Sequence, residues 1–260
     1  MQLVYVSALT LALVVLVLML VFFLLGSRLY VWRKRKLNLT EDSKFGAVEG
    51  SLLGLLALML AFTFSLSNSH YDRRIQVVNE EANAIGTAIL RADLYPDSIR
   101  NEFRKDLRQY LETRIEYYEA RTDLKRIYAS LDSSTKWQKR IWARAAYYAR
   151  NPVYLVQSNQ MVPALNAMID IVTTRNTALL ARVPDIIFYT LFILCLTSAF
   201  TLGYSIGHKL DWPIKLGFAI MISLTLYLAI DLDRARRGTI TIDFVEQHIV
   251  DLRQMFTEEQ

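Results

Sequence analysis

The feature that most constrains this chain is "LVYVSALTLALVVLVLMLVFFLLG", Leu3 to Gly26, a run without a charged side chain. At about 1.5 Å per helical residue it is long enough to cross a hydrocarbon core about 30 Å thick. A cleaved leader would show a basic start, a shorter apolar core and a small-residue cleavage site. No lysine or arginine precedes this run and "RLYVWRKRK" follows it, so it reads as a permanent anchor. Three more spans follow: Phe45 to Asn68, Pro184 to Gly207 and Pro213 to Ile230. The last is short, and Lys215 near its start can snorkel to the interface.

Flanking charge bears on orientation, because Lys and Arg in short loops favour the cytoplasmic side. The loop after the first span holds Arg28, Arg33, Lys34, Arg35, Lys36 and Lys44, which puts it inside and both termini outside. The polar region between the second and third spans then lies outside too. Arg73, Arg74, Arg182, Arg234, Arg236 and Arg237 argue the other way. Long domains translocate largely regardless of charge, so the short loop decides.

That polar region, residues 70–183, is mixed in sign, as a solvated helix surface is. Its cations are not clustered with stacking aromatics, so no nucleic-acid face is expected. Ile99, Phe103, Leu107, Leu111, Ile115, Tyr118, Leu124, Ile127 and Leu131 recur mainly at steps of three and four. Such spacing marks an amphipathic helix with one buried stripe. Pro96 with Asp97 or Ser98 reads as its start, and Ser133 to Thr135 as a break. Upstream, "YDRRIQVVNEEANAIGTAILRADLY" continues the second span without a proline or turn cluster, predicting one long helix out of the bilayer. Further helices are expected over Lys136 to Arg150 and Val162 to Ala181. Its many tyrosines and tryptophans suit helix packing, subunit contacts or headgroup belts. The fold class is all-α, in four stretches: residues 1–69, 70–183, 184–230 and an amphipathic tail, 231–260. Within the tail, "GTITIDF" alternates like a short strand, and Val245 to Phe256 reads as a helix.

No catalytic constellation emerges. His70, His208 and His248 are far apart in sequence; His208 with Asp211, and His248 with Asp251, make only two potential ligands each. Cys195 is the single cysteine, which excludes an internal disulfide. Glu80 and Glu81 are adjacent and point about 100° apart on a helix. Asp231 and Asp233 could bind a cation or join the nearby arginines in a headgroup-level salt network, but two carboxylates make a weak cation site. No enzyme activity, cofactor or metal is expected.

The second span carries the functional signal. On a helical wheel Gly46, Gly50, Gly54, Ala57, Ala61, Ser65 and Asn68 share one side, while Leu52, Leu55, Leu56, Met59 and Leu66 stand opposite. Glycine costs about 1 kcal/mol against alanine inside a helix. A tandem small-residue face offsets that cost by letting a neighbouring helix approach closely. The expectation is that the small side meets protein and the bulky side meets lipid. Glu49, one turn inside the span and off that face, either meets a functional partner or water, or pairs at headgroup level with Lys44 or the basic loop. Thr63, Ser65, Ser67, Asn68 and Ser69 make the far end polar, as a water-lined mouth or a simple exit from the bilayer would be.

The stretches "GAVEGSLLGLLALMLAFTFSLSNSHYDRRIQVVNEEANAIGTAILRADL", "NAMIDIVTTRNTALLARVPDIIF" and "AIDLDRARRGTITI" resemble the bestrophin-like family of bacterial membrane proteins, from about Gly46 to Ile242. The resemblance implies kinship with bestrophins, oligomeric and mostly anion-conducting channels whose second span lines the pore. No calcium-clasp signature can be placed in this chain. Bestrophins keep their large helical part in the cytoplasm, opposite to the loop charge count. Two readings follow. One is a homo-oligomeric ion channel in the bacterial inner membrane, passing inorganic ions. In it Glu49, Phe62, Thr63, Phe64, Ser65, Leu66 and Asn68 are pore or gate candidates, and Arg73, Arg74, Asp231 and Asp233 are charge-ring candidates. The other is a non-conducting scaffold or sensor whose helical region binds a partner protein.

Overall fold

The computed structural model describes residues 6–37, 46–206 and 212–257. Eight α-helices run in order: α1 (Ala8–Leu37), α2 (Gly46–Ala92), α3 (Asp97–Glu119), α4 (Leu124–Ala149), α5 (Leu155–Leu180), α6 (Asp185–Ile206), α7 (Trp212–Asp233) and α8 (Asp243–Asp251). Short 3-10 turns occupy Pro152–Tyr154 and Leu252–Phe256. The fold is all-α, with no strand among the described residues. Four stretches of the described residues are long and apolar enough to cross a membrane, Ala8–Lys36, Ala47–Ala92, Pro152–Ser205 and Trp212–Asp233, and each overlaps one predicted span. Two compact units form, one from Met1–Tyr71 with Arg182–Ile240, the other from Asp72–Ala181 with Thr241–Gln260. The 47-residue α2 contributes to both, as the unbroken sequence after its apolar part predicts.

The first unit contains the apolar helices. Met19 and Phe23 of α1, Leu191, Cys195 and Ala199 of α6, and Ala219 and Leu226 of α7 form its buried core with Leu56 and Leu60 of α2. The tightest approach joins α1 to α6. A methyl group on Gly26 would collide with the carbonyl oxygen of Phe200, and one on Gly203 with that of Phe23. Ser27 Oγ donates across this crossing to the Gly203 carbonyl at 3.2 Å. Cys195, Ala199 and Gly203 recur every fourth residue, so α6 presents the small-residue stripe that close helix approach requires.

In the second unit the α3 stripe is buried where the periodicity places it, at Ile99, Phe103, Leu107, Leu111 and Ile115. The break expected at Ser133 to Thr135 is absent, because α4 runs through it and Thr135 returns its hydroxyl proton to the Leu131 carbonyl. The chain turns instead at Arg121, whose φ is 42°, and Asp123 caps α4 by accepting from the amides of Lys125 and Arg126. Helix α5 begins at Leu155 rather than Val162 and carries Pro163 inside it. The turn just before it, Pro152–Tyr154, is capped by Asn151, whose side chain accepts from the Val153 amide.

The tail also differs from its sequence pattern. "GTITIDF" does not form a strand. Its backbone amides turn inward, those of Thr239 and Ile240 donating to Asp231 Oδ2 at 2.8 and 2.9 Å. A Cβ at residue 238 would sit 2.9 Å from the Asp231 carbonyl oxygen, so glycine there permits the close approach. Farther on, α8 buries Val245 and Ile249 in the second unit.

Candidate functional site

The apolar part of α2 shows three faces. Leu56, Leu60, Thr63 and Ser67 are buried in the first unit, with Leu52, Leu53 and Met59 half-buried beside them. The small face is exposed: no atom of the chain comes within 4 Å of a Cβ built on Gly50 or Gly54, and Ala57, Ala61 and Ser65 are exposed as well. A third, bulky face exposes Leu55, Leu58, Phe62 and Leu66. The assignment of the bulky side to lipid therefore needs correction. Leu56, and in part Leu52 and Met59, pack on the chain's own helices, roughly 140° around the helix from the small face at about 100° per residue. Gly46 begins α2, but its surroundings lie outside the described residues.

The gate candidates divide in the same way. Phe64 is 37% exposed and borders the small face, whereas Phe62, 64% exposed, belongs to the bulky one. Thr63 is buried and donates to the Met59 carbonyl at 2.7 Å. Ser65 is exposed, Leu66 stands on the bulky face and Asn68 is half-buried. Glu49 is half-buried on the inward side of α2, and its Oε1 has no hydrogen-bond partner among the described residues. Its candidate partner Lys44 lies outside the described residues, as do His208 and Asp211.

The charge candidates make local contacts. Arg74 is buried and donates to the carbonyls of Ala178 and Ala181 at 3.4 and 3.0 Å, satisfying the C-terminal end of α5. Arg73 lies 3.6 Å from Glu80 and is half-exposed. Asp231 holds the turn described above. Asp233 accepts from the Val183 amide at 2.9 Å and meets His70 Nδ1 at 3.1 Å. Both aspartates thus serve backbone amides, and they do so from buried positions. Among the described residues no group of three or more metal-ligating side chains exists.

The most heavily charged buried cluster escaped the sequence reading. Glu81 accepts from Arg114 Nε at 2.5 Å and from Arg175, and Arg175 also donates to Glu246 at 2.9 Å. Glu81 and Arg114 are fully buried. Tyr117 places its ring centroid 4.6 Å from the Arg114 guanidinium and 5.3 Å from that of Arg175, where the ring quadrupole favours a cation. One local signal existed: Glu81 lies on a different helix face from Glu80. Nothing near Arg114 or Arg175 in sequence distinguishes them from their exposed neighbours.

Comparison with known proteins decides the kinship. The family model of the bestrophin-like domain matches residues 16–244. The chain belongs to the bestrophin-like family. A bestrophin homologue from Klebsiella pneumoniae, crystallised with a single substitution, superposes on this bestrophin-like chain with a TM-score of 0.70 at 15% identity, covering 96% of this chain and 99% of that one. Another structure of the Klebsiella pneumoniae homologue, phased by zinc anomalous scattering, gives a TM-score of 0.66 at 14% identity, covering 95% and 99%. At these identities the likeness is one of fold. No curated protein sequence matches the chain.

Proposed function

We propose that this bestrophin-like chain assembles with copies of itself in the bacterial inner membrane as an ion-conducting pore with α2 beside the pathway. The observation that carries the reading is the exposed small face of α2. Gly50 and Gly54 have nothing against them, although glycine weakens a helix unless close packing compensates. A neighbouring copy supplies such packing better than lipid tails do. Phe64 borders that face, so it is the gate candidate of choice, and an apolar ring can close a pore by dewetting. Phe62, on another face, is a lipid or neighbour contact in this arrangement. No catalytic residue is assigned.

Ion flux from liposomes holding the purified chain is the direct test, under separate chloride, nitrate, sodium and potassium gradients. Conduction that rises on Phe64→Ala, and changes less on Phe62→Ala, is the expected result. Silence under every gradient removes the proposal.

One observation favours a second reading, a scaffold that engages another protein. Tyr128, Tyr147, Val153 and Val156 of the second unit are all more than two-thirds exposed. Photo-crosslinking from position 147 in cells separates the two. Recovery of the chain's own copy fits the pore, and recovery of a different protein with silent liposomes fits the scaffold.

A further inference from the structure

A cavity of about 490 Å³ opens in the first unit between the C-terminal turns of α1 and the start of α7. Leu24, Arg28, Val31 and Arg35, spaced by four, three and four, share one face of α1 and form one wall. Trp212 and Lys215 of α7 form the other, and among the described residues no aspartate or glutamate lines the cavity. Its volume falls in the range of about 300–1,000 Å³ that suits a small-molecule site.

The chemistry of the lining is specific. Arg28 stands just past the uncharged run that ends at Gly26, so its guanidinium belongs at headgroup depth. Lys215 is 8% exposed, which gives the cavity a cation buried in its wall as well as those at its mouth. Trp32 and Trp212 also line the cavity, each about half-exposed, and amphipathic indoles favour the membrane–water boundary. Arg33, next to this face, has a separate task, donating to the Tyr204 hydroxyl at 2.6 Å. A basic loop that only set orientation would need exposed cations. It would not need a concave site built by two helices with apolar residues between the charges.

We propose that this cavity binds the phosphodiester headgroup of an anionic membrane lipid. Arg28 and Arg35 engage the phosphate oxygens, for which the planar guanidinium is suited. Lys215 adds positive potential from the opposite wall, and Leu24, one turn deeper than Arg28, meets the first carbons of the acyl chains. Basic pockets between membrane helices recognise anionic headgroups in this way. Free phosphate shares the headgroup chemistry, but it has no use for the apolar wall or the indoles.

The test is native mass spectrometry of the full chain in detergent, titrated separately with phosphatidylglycerol, phosphatidylethanolamine and inorganic phosphate. The wild-type chain should retain phosphatidylglycerol in preference to phosphatidylethanolamine. Arg28→Gln with Arg35→Gln should weaken that retention about tenfold or more. Arg108→Gln removes one charge, as Arg35→Gln alone does, from an exposed position on α3 and should leave retention intact. If the double variant loses its monodisperse peak, Arg35→Gln alone carries the test with a drop of about fivefold. Equal retention of the two lipids, or variants indistinguishable from wild type, overturns the proposal. Inorganic phosphate that binds as tightly as the lipid overturns it in favour of a soluble anion.

Discussion

Adjacent residues can carry opposite energetic weight, as Glu80 and Glu81 do. The Glu80 side chain is 40% exposed and 3.6 Å from Arg73, a surface pair contributing less than about 1 kcal/mol. Glu81 is buried between two guanidiniums, and removing it leaves Arg114 without its carboxylate and Arg175 with Glu246 alone. Glu81→Ala is therefore expected to destabilise the chain by about 3–5 kcal/mol. Thermal unfolding in detergent should show a large fall in Tm for Glu81→Ala and almost none for Glu80→Ala. Glu112 provides a milder, pH-dependent case. Hydrogen bonds from Arg253, at 3.0 and 2.6 Å, outweigh partial burial and hold its carboxyl below the usual 4.5. A depressed folded value means the pairing stabilises above the unfolded value and is lost as pH falls through the folded one. Amide exchange over residues 252–256, relative to the intrinsic rate, should accelerate as pH falls below the usual carboxylate range, and Glu112→Gln should abolish that acid step.

Among the helices, two small-residue stripes, on α6 and α2, differ in setting. Gly203 faces the α1 backbone, which cannot swing aside as a side-chain tip can. Gly203→Ala should separate α1 from α6 at a cost of about 1–3 kcal/mol, visible as a lower Tm. Gly54 faces open space within its own chain, so Gly54→Ala gains helix propensity without a clash and should leave the fold of one chain intact. The periodicity that revealed the second stripe is local and legible. The partner of the first is not, since Gly203 meets residues of α1 more than 170 positions away. A similar limit applied at α4. Three hydroxyl residues signal a break by composition, yet a helix accepts them when their protons return to its own carbonyls, as Thr135 does.

For the whole molecule, the small face of α2 links the single chain to its assembly. Gly54→Leu places a bulky side chain where this chain has no atoms of its own, so it should spare the fold and impair association. Light scattering in detergent is expected to give a higher mass for wild type than for Gly54→Leu. An unchanged mass would separate the small face from self-association.

Sequence alone determined the four apolar runs, the all-α class, the unbroken helix leaving the second span and the buried stripe of α3. Each depends on neighbours within a few turns, where hydrophobicity and helical period act directly. The family, too, was legible in contiguous stretches around α2 and α7. Tertiary structure alone decided which leucines of α2 turn inward, that Arg74, Asp231 and Asp233 serve backbone groups, and that Glu81 gathers Arg114 and Arg175. A charge or a methyl group has no fixed role until distant segments set its solvent and its partners, and for Glu81 and Arg175 that separation is 94 residues.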